Sequence, residues 1–417
     1  ILTKNGGGNN DLSGGNTFNG PTTITNSDNN RLRFAFTNGD TFNSSLVVNK
    51  GGTGNVELAY NGATTYSSLT INNTSTGGQM NFGVGGGTST LNTGGLVTSG
   101  FVGTLVINNL TQVMNVANSA FSLAVFTVAN STFLGDFQVT NTGAINFNGN
   151  NTFAGNNTFV AGNGMTMPTG NNSFSNPGGI TNFTRNAGGN STWAGGNSFG
   201  NLNFTDNAPG FFYWNGGNTF NGNLVITNNT NSNFRMASVT GDTYNGLVTF
   251  QNNGTAFMDI SYNGTNVFAQ QITINNTSAT GEIRIGEVGG TSILQTGGLV
   301  TTGFPTCNIL EINNFTQLTN APNGNFNTVT FTSANNNFLG DFGVTTSGNM
   351  TFTNANIFEG NNSFISGGQI TMTAGGNTFS SPTNATTIIR NGGGGITWGQ
   401  GNTFGNLTLT DNSTSTL

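Results

Sequence analysis

The sequence predicts an all-β fold, an elongated right-handed parallel β-helix (β-solenoid) with about 20–24 residues per coil. Three features predict it: a duplication running through almost the whole chain, a finer recurrence of short alternating strands inside each copy, and a composition of 66 Gly and 35 Phe with only 5% charged residues. The handedness follows from the general preference for right-handed crossovers between parallel strands.

The duplication can be followed motif by motif. Residues 14–20 read GGNTFNG and return unchanged at 216–222. Gly39-Asp40-Thr41-Phe42-Asn43 returns 202 positions on as Gly241-Asp242-Thr243-Tyr244-Asn245, and Tyr60-Asn61-Gly62 as Tyr262-Asn263-Gly264. GGLVTSGF at 94–101 becomes GGLVTTGF at 297–304, and insertions near Cys307 settle the offset at 205, so that FLGDF at 133–137 reappears at 338–342. Small insertions that leave the later pattern intact belong in loops between stacked coils. The chain is therefore read as a first solenoid repeat over residues 1–202, a second over 203–407 and the start of a further repeat phase over 408–417, in one continuous rod.

Within each repeat the recurring element is an Asn or Asp, a Thr or Ser, an aromatic, a small residue and an alternating apolar stretch. NTFNGPTTI at 16, GDTFNSSLVV at 39, TTYSSLTI at 64, STFLGDFQV at 131 and NSFGNLNF at 197 are examples. Phe18, Phe42 and Tyr66 are 24 residues apart, too far for one strand and suited to one turn of a solenoid. Leu69-Thr70-Ile71, Leu105-Val106-Ile107 and Leu224-Val225-Ile226 alternate with period two between Gly and Asn clusters, as short strands between tight turns do. Because they hold one place in the motif, Phe18, Phe42, Tyr66, Phe133, Phe153, Phe199, Phe220, Tyr244, Phe338, Phe358 and Phe404 are expected to stack in the core. Each Phe is worth about 2–3 kcal/mol when fully buried. Asn side chains stacked from coil to coil satisfy one another, which gives the Asn and Thr abundance a structural reason.

Chemistry for catalysis is thin. There is no His, so a Ser-His-Asp arrangement and the commonest metal ligand are both excluded. Carboxylates recur in pairs, Asp40 with Asp242, Asp136 with Asp341 and Asp206 with Asp411, and read as turn residues capping nearby amides before they read as glycosidase acids. Arg33 with Arg235 and Arg185 with Arg390 read as ion-pair or rung-edge residues, and Trp193 with Trp398 as packed aromatics before sugar platforms. Cys307 is alone and reads as a packed or loop thiol. GGGNNDL at 6–12 is a poor match to a calcium-binding nonapeptide, because Asn9 stands where that pattern wants Gly. No cofactor is expected, and no enzyme. Eight Lys and Arg in a chain of net charge −6 form no basic stripe for nucleic acid, and no apolar run is long enough for a membrane span. Sequons such as Asn72, Asn109, Asn130, Asn275 and Asn314 matter only for a secreted eukaryotic or viral protein.

The first residue is Ile1 and no signal peptide is visible, so the chain reads as a processed product or a segment of something longer. Leu2, Thr3 and Asn5 fall at the same repeat phase as Leu409, Thr410 and Asn412. Such ends are expected to be joints at which one copy stacks on the next.

The motifs NTFNG, NNTFAGNNTF and GGNTF, with the Asn/Thr/Gly-rich composition around them, resemble the repetitive parallel β-helices of secreted bacterial surface proteins, such as filamentous adhesins and autotransporter passengers. The resemblance spans the whole length and identifies no single family. It implies extracellular or cell-surface exposure, a virion surface included, and a structural or adhesive role. The leading expectation is a structural subunit of an extracellular filament that polymerises head to tail, its partner being itself. The alternatives are an adhesin or stalk that binds glycans through a side groove, and a polysaccharide-degrading β-helix enzyme.

Overall fold

The computed structural model describes residues 1–174, 178–379 and 382–414 and contains no helix among them. It is a parallel β-solenoid of about 22 residues per coil. The chain divides into two compact units, Ile1–Leu202 and Asn203–Leu417.

In the first unit a coil typically crosses three strands before returning above its start, the first two being continuous in Thr41–Lys50 and Thr64–Asn73. One coil runs Thr132–Phe133, Phe137–Asn141 and Ile145–Asn148, and the next Thr152–Phe153, Asn157–Ala161 and Met165–Thr169. Every pairing between them is parallel, with Phe133 opposite Phe153, Val139 opposite Phe159 and Ile145 opposite Met165, and the register slips by one residue only between Asn146 and Asn148, where Asn148 meets Thr169. The strands form because alternate residues face inward. Asn157–Ala161 buries Asn157, Phe159 and Ala161 and leaves Thr158 and Val160 half-exposed. A one-residue slip would turn those apolar groups to water, which is why the register holds through β-branched and polar neighbours alike.

The second unit repeats the plan. Thr219–Phe220, Leu224–Asn228 and Phe234–Arg235 make one coil, with Leu224 opposite Val248 and Phe220 opposite Tyr244 in the next. Corners that follow the third strand of a coil turn on single residues in the left-handed region, Ala35, Ala59, Ala237 and Ser261 on some coils and Asn on others. Asn109 (φ 56°) and Asn130 (φ 49°) serve in the first unit, Asn314 (φ 53°) and Asn335 (φ 56°) in the second. Asn tolerates that conformation because its short polar side chain bonds locally. Where coils approach most closely only glycine fits: a Cβ on Gly39 would lie 1.5 Å from the Ala63 carbonyl oxygen, and one on Gly241 1.5 Å from that of Thr265.

The core of each unit is columnar. Phe18 stacks on Phe42 at 4.6 Å and Phe42 on Tyr66 at 5.6 Å. Further along the first unit Phe133, Phe153, Phe174 and Phe199 stack in turn. Phe220, Tyr244 and Phe268 do so in the second unit, followed by Phe315, Phe338, Phe358, Phe379 and Phe404. Of the motif aromatics, Phe42, Tyr66, Phe133, Phe153, Phe199, Phe220, Tyr244, Phe338 and Phe358 are buried, whereas Phe18 and Phe404 are half-exposed. Phe18 has a ring neighbour on one side only, Phe42, whereas Phe404 has both Phe379 and Trp398 beside it.

Candidate functional site

The Asn or Asp that opens each motif sits inside the corner and spends its side chain on the coil before it. Asp40 Oδ1 accepts from the Asn16 backbone N–H and side-chain amide, both at 3.0 Å, and the Asp40 N–H donates to Thr64 Oγ1. The ladder resumes as the Ser131 N–H donating to Asn151 Oδ1, Asn151 to Asn172 and Asn172 to Asn197. In the second unit Asn218 donates to Asp242 Oδ1 at 2.8 Å and Asp242 to Asn266 Oδ1 at 2.7 Å, and later Asn336, Asn356, Asn377 and Asn402 continue the pattern. Each rung satisfies one amide that the corner would otherwise bury unpaired, a group worth about 1–3 kcal/mol. Asp242 is almost wholly enclosed, and burial pushes its carboxyl up to about 7 despite the donors from Asn218 and Tyr244.

Asp136 and Asp341 build a second ladder on the outside. Asp136 Oδ1 accepts from the Asn156 N–H at 2.8 Å, and Asp341 Oδ1 from the Asn361 N–H at 2.7 Å. Asp206 is buried, its Oδ1 accepting from the Ala208 N–H at 3.1 Å. Asp411 is clasped by Arg390 through Nε at 3.0 Å and Nη2 at 2.5 Å, which holds it well below the ordinary carboxylate range. Arg185 is also fully buried, donating to the Gly189 carbonyl and Ser191 Oγ. The recurring Asp and Arg residues thus bond across coils and across turns of their own coil.

Arg33 and Arg235 each gather charge and aromatics on the outer face of their own unit. Arg33 Nε bonds Glu57 one coil on, and its guanidinium lies 4.0 Å from the Tyr60 ring centre. Arg235 Nε bonds Asp259 at 2.9 Å, 4.3 Å from Tyr262, and Arg284 adds ion pairs to Glu282 at 2.8 Å and Glu287 at 2.7 Å. Burial first, and Glu287 second, push Asp259 up to about 7. Both Arg were singled out by their recurrence. Their partners were not, although Arg33 to Glu57 and Arg235 to Asp259 are each one 24-residue coil apart, which was the available signal.

The remaining residues singled out in the sequence are scattered. Trp193 is buried with its Nε1 donating to the Met165 carbonyl, whereas Trp398 is 37% exposed. Cys307 is buried, Sγ donating to the Gly281 and Ile309 carbonyls, and burial pushes its thiol up to about 12, far from a thiolate at neutral pH. In the GGGNNDL loop Asn9 accepts from the Arg31 N–H and Asp11 pairs with Arg31 at 3.1 Å. Sequon amides are engaged as well: Asn72 donates to Asn49, Asn109 to the Gly87 carbonyl and Asn314 to that of Gly290, while Asn130 accepts from Asn150 and Asn275 from Thr302. Leu2 and Thr3 pair with Ile24 and Thr25, and Asn5 is exposed. Leu409 and Thr410 pair with Ile388 and Ile389, and the Asn412 N–H donates to the Arg390 carbonyl.

One groove in the first unit has ligand-like dimensions. An open hollow of about 340 Å³ is lined by Asn118, Asp136, Gln138, Asn156 and Thr158, with Ala117 and Phe137 behind them. At the phase of Gln138 the second unit has Gly343, so this wall is peculiar to the first. Comparison with family models, with curated proteins and with solved structures finds no match to the chain.

Proposed function

We propose that the chain is a structural β-solenoid of an extracellular filament, in which coil adds to coil in an open series. The observation that carries this reading is the use made of the recurring polar residues. Asp40 with Asp242, and Asp136 with Asp341, each pair repeating at its own phase, accept hydrogen bonds from a neighbouring coil. Chemistry repeated at every turn and directed along the stack serves propagation rather than a single reaction centre. A parallel ladder of this kind has no built-in stop, because each coil presents to the next the same donors and acceptors that it received. Joined through Leu2, Thr3 and Asn5 of one copy and Leu409, Thr410 and Asn412 of another, the contact would be heterologous and would grow as a fibre.

Electron microscopy of the purified chain across a concentration series is the test. Ordered polymers that tolerate high salt are expected, since little of the attraction is screenable. Leu409→Pro should leave the coils folded and stop elongation by removing an amide that faces the open edge, because the N–H groups of the alternate residues, that of Asn412 among them, already bond the previous coil. Monomers at every concentration, or polymers joined only through their sides, would sink the proposal. The groove around Asp136 and Gln138 favours a second reading, a stalk that holds a glycan. That reading requires retention on a polysaccharide column that Gln138→Ala abolishes.

A further inference from the structure

The outer face of the first unit carries an unbroken line of threonines. Thr17, Thr41, Thr65, Thr90, Thr111, Thr132 and Thr152 are register partners on successive coils. All are half-exposed or exposed, and none of their hydroxyls bonds another protein group among the described residues. Each therefore offers one free hydroxyl and one methyl to solvent. β-Branched residues suit strands, but that preference does not ask for a hydroxyl. The second unit demonstrates this, because the same column there passes through Thr243, Val267, Ile293, Thr316, Asn337 and Ile357. The hydroxyls on these seven successive rungs, which precede Ser173 and Ser198 in the same column, need a reason other than folding.

The column is also straight and stiff. Adjacent strands lie about 4.7–4.9 Å apart, and Thr has few χ1 options, so its two terminal groups are held in fixed directions. Beneath the column the rings of Phe18 and Phe42 differ by 5°, Phe42 and Tyr66 by 11° and Phe133 and Phe153 by 12°. Neighbouring strands in ordinary sheets rotate by roughly 20–25°. Successive coils here carry their side chains almost without rotation. On the first four coils a second outward rank, Asn19, Asn43, Ser67 and Asn92, runs beside the first, with the Asn43 amide donating to Asn19 Oδ1 at 2.8 Å. None of these outward positions is charged.

We propose that this threonine column is an ice-binding surface. Its partner is a lattice of ordered water, whose oxygen repeat lies close to the spacing of the coils. Hydroxyls at lattice spacing can take the place of water oxygens, the methyls between them seat in the hollows of the lattice, and the lack of charge avoids the tightly held hydration shell an ion would impose. Each rung contributes little, but the rungs are pre-positioned, so few side-chain rotamers remain to be frozen on contact. A linear polysaccharide is the competing occupant and is disfavoured, because the rings that flank the column, Phe42, Tyr66, Phe133 and Phe153, are buried in the core and leave no stacking platform beside it. The site does not depend on the filament reading, since a monomer would carry the same column.

The test uses the purified full chain in two assays, inhibition of ice recrystallisation and incorporation into a slowly grown ice hemisphere, with melting curves recorded in parallel. The parent is expected to enter the ice and to restrain crystal growth. Thr65→Lys and, separately, the more exposed Thr111→Lys should each lose activity several-fold with an unchanged melting curve. Thr351→Lys, on an outer face of the second unit, should retain it. A folded parent that the ice excludes, full activity in both column variants, or equal loss in the Thr351 control would overturn the proposal. Retention of the parent on a polysaccharide gel, abolished by the same two substitutions and without ice activity, would reassign the column to a glycan.

Discussion

Asp40 and Asp242 stand at the same phase of the two units, and their surroundings differ at two points, a ring hydroxyl and a ladder neighbour. In the first unit the aromatic two residues on is Phe42, and nothing from that ring reaches the carboxylate. In the second it is Tyr244, whose OH donates to Asp242 Oδ2 at 3.2 Å. The ladder neighbour differs too, since Asp40 donates its N–H to Thr64 Oγ1 and Asp242 to Asn266 Oδ1. Most rungs of both ladders are Asn, which fills the place without charge. An Asp rung keeps the geometry and adds a charge that burial disfavours, and the second unit meets it with one more donor from the core stack. The aromatic column and the polar ladder are thus coupled at this rung.

The sharpest way to break the comparison is through the rings themselves. Phe42→Asp and Tyr244→Asp each put an unpaired charge into a narrow apolar column, and each should cost several kcal/mol. Denaturant or thermal melts read this directly. A parent-like midpoint in either variant would show that the ring at that rung carries no packing load.

Acid sharpens the comparison next. Asp242 titrates at about 7 in the folded chain against an ordinary 3.8, and Asp259 is raised to a similar value. A raised folded value means that the fold carries a disfavoured charge above pH 7, and that protonation relieves it as the pH falls from about 7 towards 4. Asp28 in the first unit goes the other way: the Lys4 ammonium lowers it, so its contribution is present above the ordinary carboxylate value and is lost in stronger acid. The chain should therefore gain stability between pH 8 and pH 5 and lose it again at lower pH. Asp242→Asn should stabilise the fold at pH 8, by about 1 kcal/mol or more, and make little difference at pH 4. A gain that is the same at both pH values would mean that the carboxylate is not the source.

The solenoid was legible because two periodicities agreed. Asn16-Thr17-Phe18 returns as Asp40-Thr41-Phe42, and the alternation of Leu69, Thr70 and Ile71 assigns which residues face in. The polar clusters were harder to read because coil length drifts. Arg33 reaches Glu57 over 24 residues, whereas Asp136 reaches Asn156 over 20, so no fixed spacing pairs side chains down the chain. Corner residues were hidden for another reason. Asn109 and Asn151 are both Asn in polar contexts, yet one turns the chain through the left-handed region and the other bonds inside the ladder. Residue type alone does not separate the two jobs. The groove at Asp136 combines side chains from three coils, a juxtaposition that requires the register before it can be seen.

The smallest effect belongs to the outer aromatics. Tyr60 and Tyr262 cover the guanidinium faces of Arg33 and Arg235 at 4.0 Å and 4.3 Å, contacts worth about 0.5–1 kcal/mol near a surface. In the first unit Arg33 also pairs with Glu57, whose side chain is 7% exposed, while in the second Arg235 pairs with Asp259, whose side chain is fully buried. Tyr60→Leu removes the ring and leaves a carboxylate that water still reaches. Tyr262→Leu loosens the Arg that helps to neutralise a carboxylate water does not reach, so it should cost the more of the two. Because Asp259 is already raised by burial, the difference should appear at pH 8 and fade by pH 5, where that carboxyl is protonated. Equal costs for the two substitutions at pH 8 would mean that the Tyr rings act by packing alone, and that the charge beneath them is indifferent to their presence.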